Sequence, residues 1–97
     1  MRKRKDGGGL REIAHVLLRI RDVELMERFL AALLTDREAA DLTGRWELVK
    51  RLHGGETQRS IAKELGMSLC KITRGSKELK KPNSPVRRVV ELWMRAH

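Results

Sequence analysis

The chain has 97 residues, with 22 Lys and Arg against 13 Asp and Glu for a formal net charge of +9, which gives room for one domain but not two. Hydrophobic residues make up 40% and the only aromatics are Phe29, Trp46 and Trp93, so an isolated monomer has little bulk for its interior and is expected to be marginal. The single Cys70 cannot close an internal disulfide and has no metal-ligand spacing with His15, His53 or His97; no apolar run reaches the roughly 18 to 20 residues of a membrane span, so a stapled secreted fold, a zinc module and a membrane helix are excluded and a cytoplasmic protein without metal is expected.

Residues 1–9 hold Arg2, Lys3, Arg4 and Lys5, then Asp6 and three glycines. This composition buries no apolar area and is expected to form a flexible basic arm, either solvated or reaching phosphates. Residues 10–97 are expected to form a single helical domain. Leu10, Ile13, Leu17 and Ile20 recur at helical spacing, and Val23, Met26, Leu30 and Leu33 continue the stripe beside Leu25, Phe29 and Leu34. They predict one or two amphipathic helices broken near residues 21–23, with an apolar face that must be covered by a partner subunit or by the chain's own core.

Thr35 and Glu38 form the T-x-x-E capping box that opens a third helix. Leu42, Trp46, Val49 and Leu52 line one face of that helix, and His53-Gly54-Gly55 ends it with a last-turn cation and a left-handed stop. Ser84 and Pro85, a cap and a first-turn proline, introduce a last helix carrying Val86, Val89, Val90, Trp93 and Met94. Nothing alternates like a strand, so the expected class is all-α with about six short helices.

Charge is uneven along the chain. Residues 1–34 carry a net +3, residues 35–56 a net −1 and residues 57–97 a net +7, as expected of a dimerising scaffold with a polyanion-binding face or, more simply, of a solvated surface. A nucleic acid or an anionic membrane surface is the partner such charge selects. Within residues 57–80 the pattern is a helix-turn-helix: Thr57 and Ser68 cap two short helices, Gly66 makes the left-handed turn, and Ala62 lets the helices cross while Ile61, Leu65, Met67 and Ile72 lock the angle.

Residues 57–81 hold Arg59, Lys63, Lys71, Arg74, Lys77, Lys80 and Lys81 against Glu64 and Glu78. Such groups neutralise phosphates, and the first turn of the second helix faces base edges in the major groove. The candidate DNA-binding residues are Gln58, Arg59, Lys63, Ser68, Leu69, Cys70, Lys71, Thr73, Lys77 and Lys80. Leu69 and Cys70 suit thymine methyls, Cys70 alternatively being a buried packing thiol; Thr73 suits a direct or water-mediated hydrogen bond.

At Ile72-Thr73-Arg74-Gly75-Ser76 and Leu79-Lys80 the chain resembles the tryptophan repressor family. The resemblance extends upstream through Thr57-Gln58-Arg59, Leu65-Gly66 and Leu34-Thr35 with Arg45, covering roughly residues 29–80. It implies an intertwined all-α homodimer, water-mediated operator contacts and L-tryptophan as corepressor ligand. It implies that Arg45 and Arg74 flank the indole ring, that Arg74 also meets the carboxylate, that Gly75 leaves room beside it, and that the backbone at Ala32, Leu34 and Thr35 receives the ammonium.

The chain departs from the family at Glu78, where a small hydroxyl residue is usual, and in a turn between Leu52 and Gln58 that is one residue shorter. Glu78 has three uses open to it: pairing with a ligand ammonium, bridging to Arg74, or pointing to water. The expected function is ligand-responsive transcriptional repression, with an effector-independent helix-turn-helix DNA-binding protein as the alternative. An RNA-binding or purely structural basic protein is a further alternative. The chain has no nucleophile set, paired acidic motif, phosphate loop or cofactor fingerprint, so an enzyme is not expected.

Overall fold

The computed structural model describes residues 8–97; the expected basic arm at Arg2 to Lys5 lies outside them. The described residues contain six helices and no strand: α1 (Gly9–Arg19), α2 (Val23–Leu33), α3 (Asp36–His53), α4 (Gln58–Leu65), α5 (Leu69–Lys80) and α6 (Pro85–Ala96). None of them is long and apolar enough to cross a membrane. Two compact units divide at the Ala39–Ala40 junction.

In the first unit, α1 ends at Arg19 and Ile20 turns extended. The Asp22 carboxylate then accepts the Glu24 backbone N–H at 3.0 Å, starting α2, so the expected break between two helices falls where a carboxylate satisfies a free donor. Neither α1 nor α2 buries a residue, and Leu10, Ile13, Val16, Leu18, Val23, Leu25 and Leu33 are exposed. The capping box that starts α3 is reciprocal: Thr35 Oγ1 accepts from the Glu38 N–H at 3.1 Å, and the Thr35 N–H donates to Glu38 Oε1 at 2.9 Å. Hydrogen bonding from Thr35, its backbone N–H first and its side chain second, holds the Glu38 carboxyl below its ordinary pKa.

In the second unit, α3 serves two cores at once. Leu48 packs with Ile61 and Ile72, flanked by Leu52, Ala62, Leu65 and Met67. Its neighbour Val49, about 100° further round the helix, packs with Leu79 and Val90, flanked by Trp46, Leu52 and Val86. The sequence stripe Leu42-Trp46-Val49-Leu52 therefore catches only one of the two faces: Leu48 is 2% exposed while Leu42 is 48% exposed. Full burial of Ile61 and Ile72 contributes about 1.5–3 kcal/mol each.

The remaining ends are closed as the residue types dictate. Gly55 is left-handed after α3, Thr57 Oγ1 accepts from the Ser60 N–H at 3.2 Å, and Ser68 Oγ accepts from the Lys71 N–H at 3.3 Å. Gly66 takes φ 64° at the end of α4, and α5 packs on both α4 and α6. Ser84, fully buried, accepts from the Arg87 N–H, and the Arg87 guanidinium donates to the Leu79 and Lys81 carbonyls at 3.0 and 3.4 Å, serving the carboxyl end of α5. The Trp46 and Trp93 rings meet edge to face at 6.3 Å, with Lys50 over both and His97 stacked on Trp93.

Candidate nucleic-acid interface and the adjoining cavity

Helix α5 sorts its residues onto three faces. Ile72, Ser76 and Leu79 point inward and are buried. Lys71, Arg74, Gly75 and Glu78, at i, i+3, i+4 and i+7, line a cavity of about 490 Å³. Leu69, Thr73, Lys77 and Lys80 form an exposed stripe.

Leu69, in the first turn, is 54% exposed although it is a large aliphatic residue, and Cys70 beside it is an exposed free thiol rather than a packing one. On α4, Arg59 and Lys63 are exposed and Gln58 is half-buried. The Thr73 hydroxyl donates to Gln58 Oε1 at 3.3 Å, tying the start of α4 to the second turn of α5.

Four of the six acidic residues of this unit, Glu47, Glu56, Glu64 and Glu78, are held by cations. Arg51 pairs with Glu47 at 3.0 Å, with Glu56 at 3.4 Å and with Glu64 of α4; these partners, Glu64 foremost, raise its pKa. Hydrogen bonds from Lys50 and Arg51 hold the Glu47 carboxyl below its ordinary range. Glu78 pairs with Lys81 at 2.8 Å. The cationic side chains of Arg59, Lys63, Lys71, Arg74, Lys77 and Lys80 make no ion pair among the described residues, so their charge is available to an anionic partner.

The cavity wall is completed by Leu42, Arg45, Trp46 and Val49 of α3, with Leu48, Met67 and Val86. Its size lies within the range of small-molecule sites, and its apolar lining with a few charged groups is their usual composition. Arg45, Arg74, Gly75 and Glu78, named from the sequence as ligand residues, all lie on this lining. Ala32 lies in α2, Leu34 is its extended C-cap and Thr35 caps α3, all in the first unit.

A Cβ at Gly75 would stand 3.1 Å from Leu48 Cδ2, so the missing side chain serves the close approach of α5 to α3. Sequence reasoning missed Leu42, Trp46 and Val49 as cavity residues, although with Arg45 they keep the i, i+3, i+4, i+7 spacing of one helix face. Lys81, the partner of Glu78, carried no signal beyond its i+3 distance. No cluster of His, Cys, Asp or Glu able to hold a metal occurs among the described residues.

The family model described as Trp repressor protein matches residues 9–92. Among similar proteins, the Trp operon repressor homolog of Chlamydia trachomatis serovar D is 29% identical over 79 residues, covering 80% of this chain and 84% of the relative. That of Vibrio parahaemolyticus is 42% identical over 60 residues, 61% of this chain and 58% of the relative. That of Chlamydia caviae is 32% identical over 81 residues, 82% and 80%. No solved structure matches the chain. With six helices among the described residues, an exposed cationic α5 and a family match running from the start of α1 into α6, the chain belongs to the Trp repressor protein family.

Proposed function

We propose that this chain is a trp operon repressor that binds operator DNA as a homodimer through a helix-turn-helix formed by α4 and α5, with L-tryptophan as corepressor. The observation that carries the reading is the division of labour on α5: one exposed stripe bears Leu69, Thr73, Lys77 and Lys80, while the adjacent stripe lines a cavity with Lys71, Arg74, Gly75 and Glu78. A ligand in that cavity bears directly on the helix proposed to enter the major groove.

The base-reading groups are Ser68, Leu69, Cys70, Lys71 and Thr73, and the phosphate-binding groups are Gln58, Arg59, Lys63, Lys77 and Lys80. Arg45 and Arg74 hold the ligand from opposite sides of the ring. Homodimer formation is supported by the exposed apolar faces of α1, α2 and α6, which an interface between two copies would cover. Ligand then acts by population shift, favouring the spacing of two recognition helices across successive major grooves, about 34 Å apart.

The test is a titration of labelled duplex from the gene's own upstream region, with and without L-tryptophan, against random-sequence duplex. Tighter and sequence-selective binding with ligand is expected. Equal binding with and without ligand leaves effector-independent DNA binding, and equal affinity for random duplex removes the operator reading.

A further inference from the structure

Four charged side chains lie on the cavity lining, Arg45, Lys71, Arg74 and Glu78, and Glu78 is the only carboxylate among them. It stands one helical turn beyond Arg74, within reach of an i, i+4 pair, yet its ion pair is made in the other direction, to Lys81 Nζ at 2.8 Å. Arg45, Lys71 and Arg74 make no ion pair among the described residues. An anionic group entering the cavity therefore meets uncommitted cations. A cationic group meets one carboxylate on this lining, and an ammonium of this chain already occupies it.

We propose that Glu78 selects the ammonium group of an amino-acid ligand and that Lys81 is a resident placeholder which the ligand displaces. The inference rests on the reading of this cavity as the effector site. The two competitors are chemically the same group, a primary ammonium with three donors, so one can replace the other on the Glu78 oxygens without loss of charge balance.

The exchange is easy because the resident pair is weak. The Glu78 and Lys81 side chains are 40% and 60% exposed, and an exposed pair of this kind shifts an equilibrium by only about twofold. A ligand that fills the cavity shields Glu78 from water, which strengthens a charge-assisted hydrogen bond to its ammonium. The ligand carboxylate goes to the cations, so the lining distinguishes a zwitterion from a simple acid.

The experiment is calorimetric titration of the full chain with L-tryptophan, tryptamine and indole-3-propionate, which carry both charges, the cation alone and the anion alone. Wild type is expected to prefer L-tryptophan. Glu78→Gln keeps the shape and removes the charge, and is expected to weaken L-tryptophan about tenfold relative to indole-3-propionate. Lys81→Met removes the competitor and is expected to raise the preference for L-tryptophan over indole-3-propionate by about twofold or more.

If Glu78→Gln leaves the ratio of the two affinities unchanged while both ligands bind, the proposal is overturned and the effector site stands. An unchanged ratio in Lys81→Met overturns the placeholder role in the same way. If wild type takes up none of the three ligands, the effector reading fails and the proposal with it.

Discussion

The Thr73 hydroxyl and the Gln58 amide oxygen form a hydrogen bond, at 3.3 Å, between two polar side chains fifteen residues apart. The bond consumes the hydroxyl hydrogen, so Thr73 meets an approaching partner as an acceptor, and it leaves the Gln58 amide nitrogen as the donor of that side chain. Thr73→Val is therefore expected to relax sequence choice by about tenfold at one base position with a modest loss of overall affinity. Competition between operator and single-base variants checks this; an unchanged preference at every position removes Thr73 from the readout.

Lys77 and Lys80 stand on the same exposed stripe without ion-pair partners among the described residues. Replacement of either by alanine is expected to weaken operator and random duplex alike and to lower the slope of log affinity against log salt by about one unit. Measurement at four or five salt concentrations is enough. A loss confined to operator DNA would move these lysines to the bases.

Arg74 is exposed on the cavity lining and makes no ion pair among the described residues. Arg74→Ala is expected to abolish the response to L-tryptophan while leaving the helical circular dichroism and the unfolding midpoint close to wild type, because no buried contact is removed. A large drop in the midpoint would show that the guanidinium supports the fold instead.

Two helix-interior glycines give opposite predictions. A Cβ at Gly44 meets only the flexible end of Met67, whereas one at Gly75 meets Leu48, which is 2% exposed. Gly44→Ala is expected to be neutral or stabilising by up to about 1 kcal/mol from helix propensity. Gly75→Ala is expected to destabilise by about 1 kcal/mol, overpacking outweighing the same propensity gain. Chemical denaturation of the two variants decides it, equal shifts in one direction being the contrary result.

Acid sensitivity follows from Glu38 and Glu47, both held below the ordinary carboxylate pKa of 4.5. A depressed folded-state pKa means that the unfolded chain binds protons more readily, so the stabilisation is complete above the ordinary value and is lost as pH falls through the lower folded value. The unfolding midpoint is expected to fall between about pH 5 and pH 3, and less steeply in Glu38→Gln. Parallel profiles for the two proteins would remove the capping box as a source.

What the sequence made legible was local chemistry. Thr35 with Glu38, Thr57, Ser68, Gly66 and Ser84-Pro85 act through bonds to backbone within a few residues, so their spacing alone marks helix ends. The helical class, the starts of α3 to α6 and the end of α4 follow from them. Leu48 escaped because α3 turns two adjacent faces to two cores, which no single stripe describes.

The cavity was half legible. Arg45, Arg74, Gly75 and Glu78 came from the family resemblance, but Trp46, Met67 and Val86 come together through tertiary packing of α3, the α4–α5 turn and α6. The Arg51 network with Glu47, Glu56 and Glu64 likewise spans α3, a turn and α4, and only its i, i+4 member could be read from spacing.

Helix α1 buries none of its side chains, so lasting protection of its amides from deuterium has to come from outside the helix. In a dilute sample those amides are expected to exchange at nearly the rate of a fraying peptide. If protection grows as the protein is concentrated, isotope uptake in this one segment becomes a label-free gauge of self-association, measurable before any DNA or ligand is added.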